Sequence, residues 1–151
     1  MDLDDDLPFI DEHEVHVSTS APAVWRALAT RLSGRGLGGT ILAYVLAAEP
    51  RRASGSGLAE GATLPGFKVA EAVPGRSVRL TGRHHFSRYS LNFTLVAQPD
   101  GTMLVARSLA EFPGMRGRAY RRLVIGSGAH RAFVTRLLRA VCLQAERQEA
   151  G

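Results

Sequence analysis

The spacing of hydrophobic and polar positions changes period several times along the chain, and each change marks an element. Glu12–Ser18 alternates, with Val15 and Val17 on one side and Glu14 and His16 on the other, as in a half-buried strand. Ser20-Ala21-Pro22 reads as a helix start, with a hydroxyl to cap it and a proline in its first turn. Val24, Trp25, Leu28 and Leu32 recur at helical spacing and predict a helix to about Arg31. Residues 33–66 are less regular. They hold a glycine-rich stretch at 33–39, a short apolar segment at 40–48 that fits helix or strand, and a loop at 50–66 with Ser54-Gly55-Ser56-Gly57.

Alternation returns at Phe67. Strands are predicted at 67–73, 77–86, 89–97 and 102–112, separated by Pro74-Gly75 and Pro99-Asp100-Gly101 and closed by Pro113-Gly114. Connections this short make an antiparallel meander. The chain then takes a helical period from about Arg116 to Gln148. Its apolar stripe is Tyr120, Leu123, Val124, Val134, Leu137, Leu138, Val141 and Ala145, and Gly126-Ser127-Gly128 marks a kink.

Composition adds limits. The chain has 151 residues, 45% hydrophobic and 22% charged, which suits one globular domain with a core that needs no staple. Residues 1–11 read as a flexible acidic arm and residues 12–148 as the single domain. The lone Cys142 cannot form an internal disulfide, which fits a cytoplasmic setting. The acidic start is not that of a signal peptide. No apolar run is long enough for a membrane span. The net charge is +5, and 18 of the 19 basic residues are Arg, spaced rather than blocked. Without interleaved exposed aromatics, that charge is a solvated face rather than a nucleic-acid site.

Gly34-Arg35-Gly36-Leu37-Gly38-Gly39 matches the dinucleotide pattern, but a helix precedes it where the mechanism needs a strand, so no nucleotide cofactor is implied. His84 and His85 are neighbours on a strand and point to opposite faces, as do His13 and His16. No metal-ligand spacing is present, and no metal is expected. His84 shares a strand face with Val78, Leu80 and Phe86. His130 lies on the inward face of the C-terminal helix, in phase with Val134 and Leu137. Such histidines are either hydrogen-bonded core residues or contacts in a cavity. Tyr89, Leu91, Phe93 and Leu95 form one apolar face, which serves equally as core or as pocket wall. Beyond Glu71, Arg107 and Glu111, no Asp, Glu or Arg is clearly placed inward.

The order of strand, capped helix, meander and long terminal helix resembles the START-like, birch-pollen-allergen-like superfamily, SRPBCC. Val15-His16-Val17-Ser18-Thr19-Ser20-Ala21-Pro22-Ala23-Val24-Trp25-Arg26-Ala27-Leu28 is similar to that family's opening strand and first helix. Gly66-Phe67-Lys68-Val69 with Pro74-Gly75 is similar to its central strand and turn. Asp100-Gly101-Thr102 is similar to the start of its last strand, and the segment from Ala110 to His130 resembles an uncharacterised bacterial branch. The resemblance implies an α+β helix-grip fold, a bent antiparallel β-sheet wrapped around a long C-terminal α-helix with a cavity between them. It implies two functions. One is binding of a hydrophobic or amphipathic small molecule, lined by Trp25, Phe67, Leu80, His84, Phe86, Tyr89, Phe93, Tyr120 and His130. The other is a polyketide cyclase, aromatase or dehydratase type of enzyme in which His or Tyr moves protons. Neither requires a cofactor, and a homodimer is left open.

Overall fold

The computed structural model describes residues 6–32, 58–64, 67–84 and 87–150. The chain runs β1 (Phe9–Val17), α1 (Ala21–Leu32), β2 (Thr63–Leu64), β3 (Phe67–Val73), β4 (Ser77–His84), β5 (Ser87–Gln98) and β6 (Gly101–Glu111). It ends with α2 (Gly114–Arg121), one π-helical turn (Arg122–Gly126) and α3 (Ala129–Ala150). The sheet is six-stranded and antiparallel in the order β1-β6-β5-β4-β3-β2. Its concave face packs on α3, and α1 lies alongside the C-terminal half of that helix, with Arg31 Nε donating to Gln144 Oε1 at 2.6 Å. This is the α+β helix-grip architecture.

Alternation decides which side chains face the helix. Across β1 and β6 the inward pairs are Val17 with Thr102, Val15 with Leu104, and His13 with Ala106. The same row continues through Leu95, Phe93 and Leu91 on β5 and Val78 and Leu80 on β4. Val17, Val24, Leu28, Val69, Leu80, Phe93, Leu104, Val134 and Val141 are sealed from solvent and make one core. Gly101 opens β6 where a Cβ would collide with the Val17 carbonyl oxygen, so only glycine lets the two strands meet there.

Three expectations need correction. The first strand starts at Phe9 rather than Glu12, so Phe9 and Asp11 pair with β6 on either side of a bulge. The C-terminal helix is not continuous from Arg116. It divides at the π turn and at Gly128, whose φ of 80° is the left-handed conformation that ends a helix. The Ser127 hydroxyl donates to the Leu123 carbonyl at that break. An added residue in a π turn rotates the following helix by about 100°. Leu123, placed by period on the apolar stripe, is therefore 70% exposed. The glycine motif at 34–39 and the apolar segment at 40–48 lie outside the described residues.

Candidate functional site

Polar side chains gather at one end of the concave face, where β1 begins and β6 ends. A β-bulge between Phe9 and Asp11 sets this end. It turns Phe9 outside, under the guanidinium of Arg107 at 5.2 Å, while Asp11 faces inward beside Ser108 by the alternation it shares with His13 and Val15. His13 follows on the same inward row. From the opposite side α3 contributes His130 in its first turn.

These four residues meet. His130 Nε2 lies 3.0 Å from Ser108 Oγ and 3.4 Å from Asp11 Oδ1. His13 Nε2 lies 3.1 Å from Asp11 Oδ2. The side chains of Asp11, His13 and His130 keep 25%, 20% and 22% exposure, mostly covered yet still reachable. Asp11 Oδ1 itself is buried and accepts no hydrogen bond from the described residues. His130 Nε2 approaches it without closing a hydrogen bond, so this oxygen keeps acceptor capacity for an incoming hydroxyl or N–H. Ser108 and Asp11 both approach the same nitrogen of His130. A nucleophilic relay uses the two ring nitrogens separately, so this is not one.

Tyr89 and Tyr120 border the same end. Tyr89 is the inward partner of Ala110 on β6, and its ring meets Phe67 edge-on at 5.3 Å. Burial, and next the neighbouring Tyr120 phenol, push the Tyr89 hydroxyl far above its ordinary range. Burial alone raises Tyr120, whose ring lies 6.0 Å from Phe112. Both phenols are held protonated at neutral pH, as hydrogen-bond donors.

Of the residues singled out in the sequence, Phe67 meets Tyr89 and Tyr120 neighbours Tyr89, while His130 meets Ser108 and Asp11. Leu80 and Phe93 are fully buried in the core. Trp25 packs half-buried against that core from α1. His84 ends β4 opposite Ser87, but its side chain, like the whole of Phe86, lies outside the described residues. Glu71, Arg107 and Glu111 do not supply the inward charge. Glu71 is 61% exposed beside Arg79, Arg107 lies over Phe9, and Glu111 pairs with Arg88 at 2.6 Å. The inward acid is Asp11, which sequence reasoning left in the arm. Asp11 and His13 carry the same parity as Val15 and Val17, and that was the available signal.

An open groove of about 570 Å³ runs from His13 between β1 and α3. Val15, Leu138 and Cys142 line it, with Arg136 and Arg139 alongside. Burial and the Glu146 carboxylate raise the Cys142 thiol, so it stays protonated. Among the described residues no cluster of His, Cys, Asp and Glu is arranged to hold a metal ion, and no helix is long and apolar enough to cross a membrane.

No protein-family model matches the chain, and no curated protein matches it. Solved structures do. An uncharacterised protein from Rhizobium leguminosarum is 15% identical, covers 91% of this chain and 93% of its own, and superposes with a TM-score of 0.62. CalU16 from Micromonospora echinospora is 14% identical over 92% of this chain and 84% of its own, with a TM-score of 0.52. DynU16, from the dynemicin biosynthetic locus, is 17% identical over 85% of this chain and 45% of its own, with a TM-score of 0.51. At such identities the likeness is one of fold.

Proposed function

We propose that the chain is an SRPBCC-type domain that binds a hydrophobic or amphipathic small molecule between its sheet and its C-terminal helices. The ligand's apolar body lies against the aromatic wall of Phe67, Tyr89 and Tyr120. Its polar end is a hydroxyl or phenol that donates to Asp11 Oδ1. The observation that carries this reading is that oxygen, buried and without a hydrogen bond among the described residues although His130 Nε2 lies 3.4 Å away. Pockets of this kind are mostly apolar with a few fixed polar groups.

The test is displacement of a fluorescent naphthalene sulfonate by a panel of polycyclic phenols and their methyl ethers. The free phenols should bind tighter than their ethers by about tenfold, the worth of one hydrogen bond to a charged acceptor. Asp11→Ala should erase that preference while leaving ether binding unchanged, and His130→Phe should weaken the phenols. A preference that survives Asp11→Ala overturns the reading.

A second reading is favoured by the two protonated phenols beside an imidazole. Tyr89, Tyr120 and His130 are then proton donors to a polycarbonyl substrate in a cyclase or dehydratase reaction. The dynemicin locus of DynU16 supports testing polyketide thioester mimics first. Turnover that Tyr89→Phe and His130→Phe each reduce would establish it, and binding without turnover would reject it.

A further inference from the structure

We propose that α2 and the π turn after it form a membrane-surface patch, which seats the polar end of the interior on an anionic lipid leaflet. Between Glu111 and Glu146 the sequence contains seven arginines and no Asp, Glu or Lys. Four of these, Arg116, Arg118, Arg121 and Arg122, crowd onto α2 and the start of the turn, and all are exposed. Arg121 lies over the Phe112 ring at 5.9 Å. Arg116, Arg118 and Arg122 meet no carboxylate among the described residues.

The same segment carries Met115, 86% exposed, and Leu123, 70% exposed, the two most exposed large hydrophobic side chains among the described residues. One such residue alone would be ordinary. Here they bracket the arginines along a segment that buried Gly117 and half-buried Tyr120 fasten to the protein. The exposed side chains of the segment are apolar at both ends and cationic between. Guanidinium groups bind phosphates bidentately. Two apolar tips flanking them fit the boundary between lipid headgroups and acyl chains, where interfacial helices lie. Nucleic acid also attracts arginine, but it has no use for Met115 and Leu123. It gains from exposed rings to stack on, and neither Phe112 nor Tyr120 is exposed.

The patch stands without the ligand reading, which gives it a use. Tyr120 faces Tyr89 from the inner side of the helix that lipid would hold from outside, so a greasy ligand would pass between cavity and bilayer with little exposure to water.

The experiment is flotation of the full chain with vesicles of phosphatidylcholine alone and of phosphatidylcholine mixed with phosphatidylglycerol. Binding is expected to the anionic vesicles only, falling as salt rises. Arg116→Gln, Arg118→Gln and Arg122→Gln together should weaken it by at least about tenfold. Met115→Ser with Leu123→Ser should weaken it by about tenfold as well. All five side chains are exposed, so unchanged circular dichroism is expected for both variants. Three results would overturn the proposal. One is no binding of the parent chain to anionic vesicles at low salt. Another is duplex DNA binding as strong as vesicle binding and indifferent to the Met115 and Leu123 changes. The third is a solution dimer that Met115→Ser with Leu123→Ser dissociates, since a second copy would then cover the face. Vesicle binding needs no cavity ligand, so this proposal and the phenol-binding reading fail separately.

Discussion

The two ends of the interior are built on one alternating pleat and treat polar atoms in opposite ways. At the α1 end, Val17, Leu28, Leu104, Val141 and Ala145 are sealed. Thr102, also fully buried there, donates its hydroxyl to the Thr19 carbonyl at 2.8 Å. At the α2 end, Asp11, His13, Ser108 and His130 meet, and Asp11 Oδ1 makes no hydrogen bond among the described residues, with His130 Nε2 3.4 Å away. The helix differs in the same sense. It runs unbroken past the sealed end and breaks into a π turn and a left-handed glycine at the polar one. The sealed end holds the core, and the end proposed to receive the ligand is the one where a buried polar atom lacks a hydrogen bond. π turns recur at functional sites because they place side chains that a regular helix cannot.

The difference makes measurable claims. Phe93→Ala should cost about 3–5 kcal/mol in urea unfolding, and Leu138→Ala about 2–5 kcal/mol, because both empty a closed core. Losses below about 1 kcal/mol would show that the core is not closed there. The next effect is alkaline. Tyr89 is raised well above its ordinary 10.0 by burial and by Tyr120. The unfolded chain ionises this phenol first. Its contribution is therefore complete below about pH 10 and is lost as pH climbs from there toward the folded value. Tyr89→Phe should flatten the fall in stability above pH 10, as read from thermal melts, and an unaltered slope would place the phenol in water. Gly128→Ala should cost about 1 kcal/mol, since φ there is 80° while the space for a Cβ is open, so strain alone acts. A neutral result would mean that the break between α2 and α3 is loosely held. Ser108→Ala should be smallest, about 0.5–1.5 kcal/mol for one partly covered hydrogen bond to His130. A cost rivalling Phe93→Ala would erase the contrast between the ends.

Much of the sheet was legible in the residues. Pro74-Gly75, Pro99-Asp100-Gly101 and Pro113-Gly114 bound β3 to β6 because their backbone preferences are local. The polar end was only half legible. His130, Tyr89 and Tyr120 are readable by period, since each lies in phase with apolar neighbours. Asp11 was not, because the acids at 2–6 and Pro8 look like solvated arm, and how far β1 extends toward its start depends on pairing with distant Ser108 and Leu109. Ser108 gave no signal, being a small residue on a strand whose neighbours set the pattern. Leu123 was misplaced because a π turn shifts helical phase and carries no composition of its own. Of the two stripe leucines at 137 and 138, Leu137 is half-buried and Leu138 is sealed in the core.

β1 pairs with β6 alone among the described strands, and at the other edge of the sheet β2 is only two residues long. An open strand edge offers its amides to any neighbouring molecule, which is how sheets grow into aggregates. Along this edge Glu12 and Glu14 are exposed. Two copies meeting antiparallel through β1 would bring like carboxylates face to face across a newly formed ladder, where such pairs repel. Glu12 and Glu14 therefore act as a fence, opposing edge-to-edge continuation of this sheet into a second copy's.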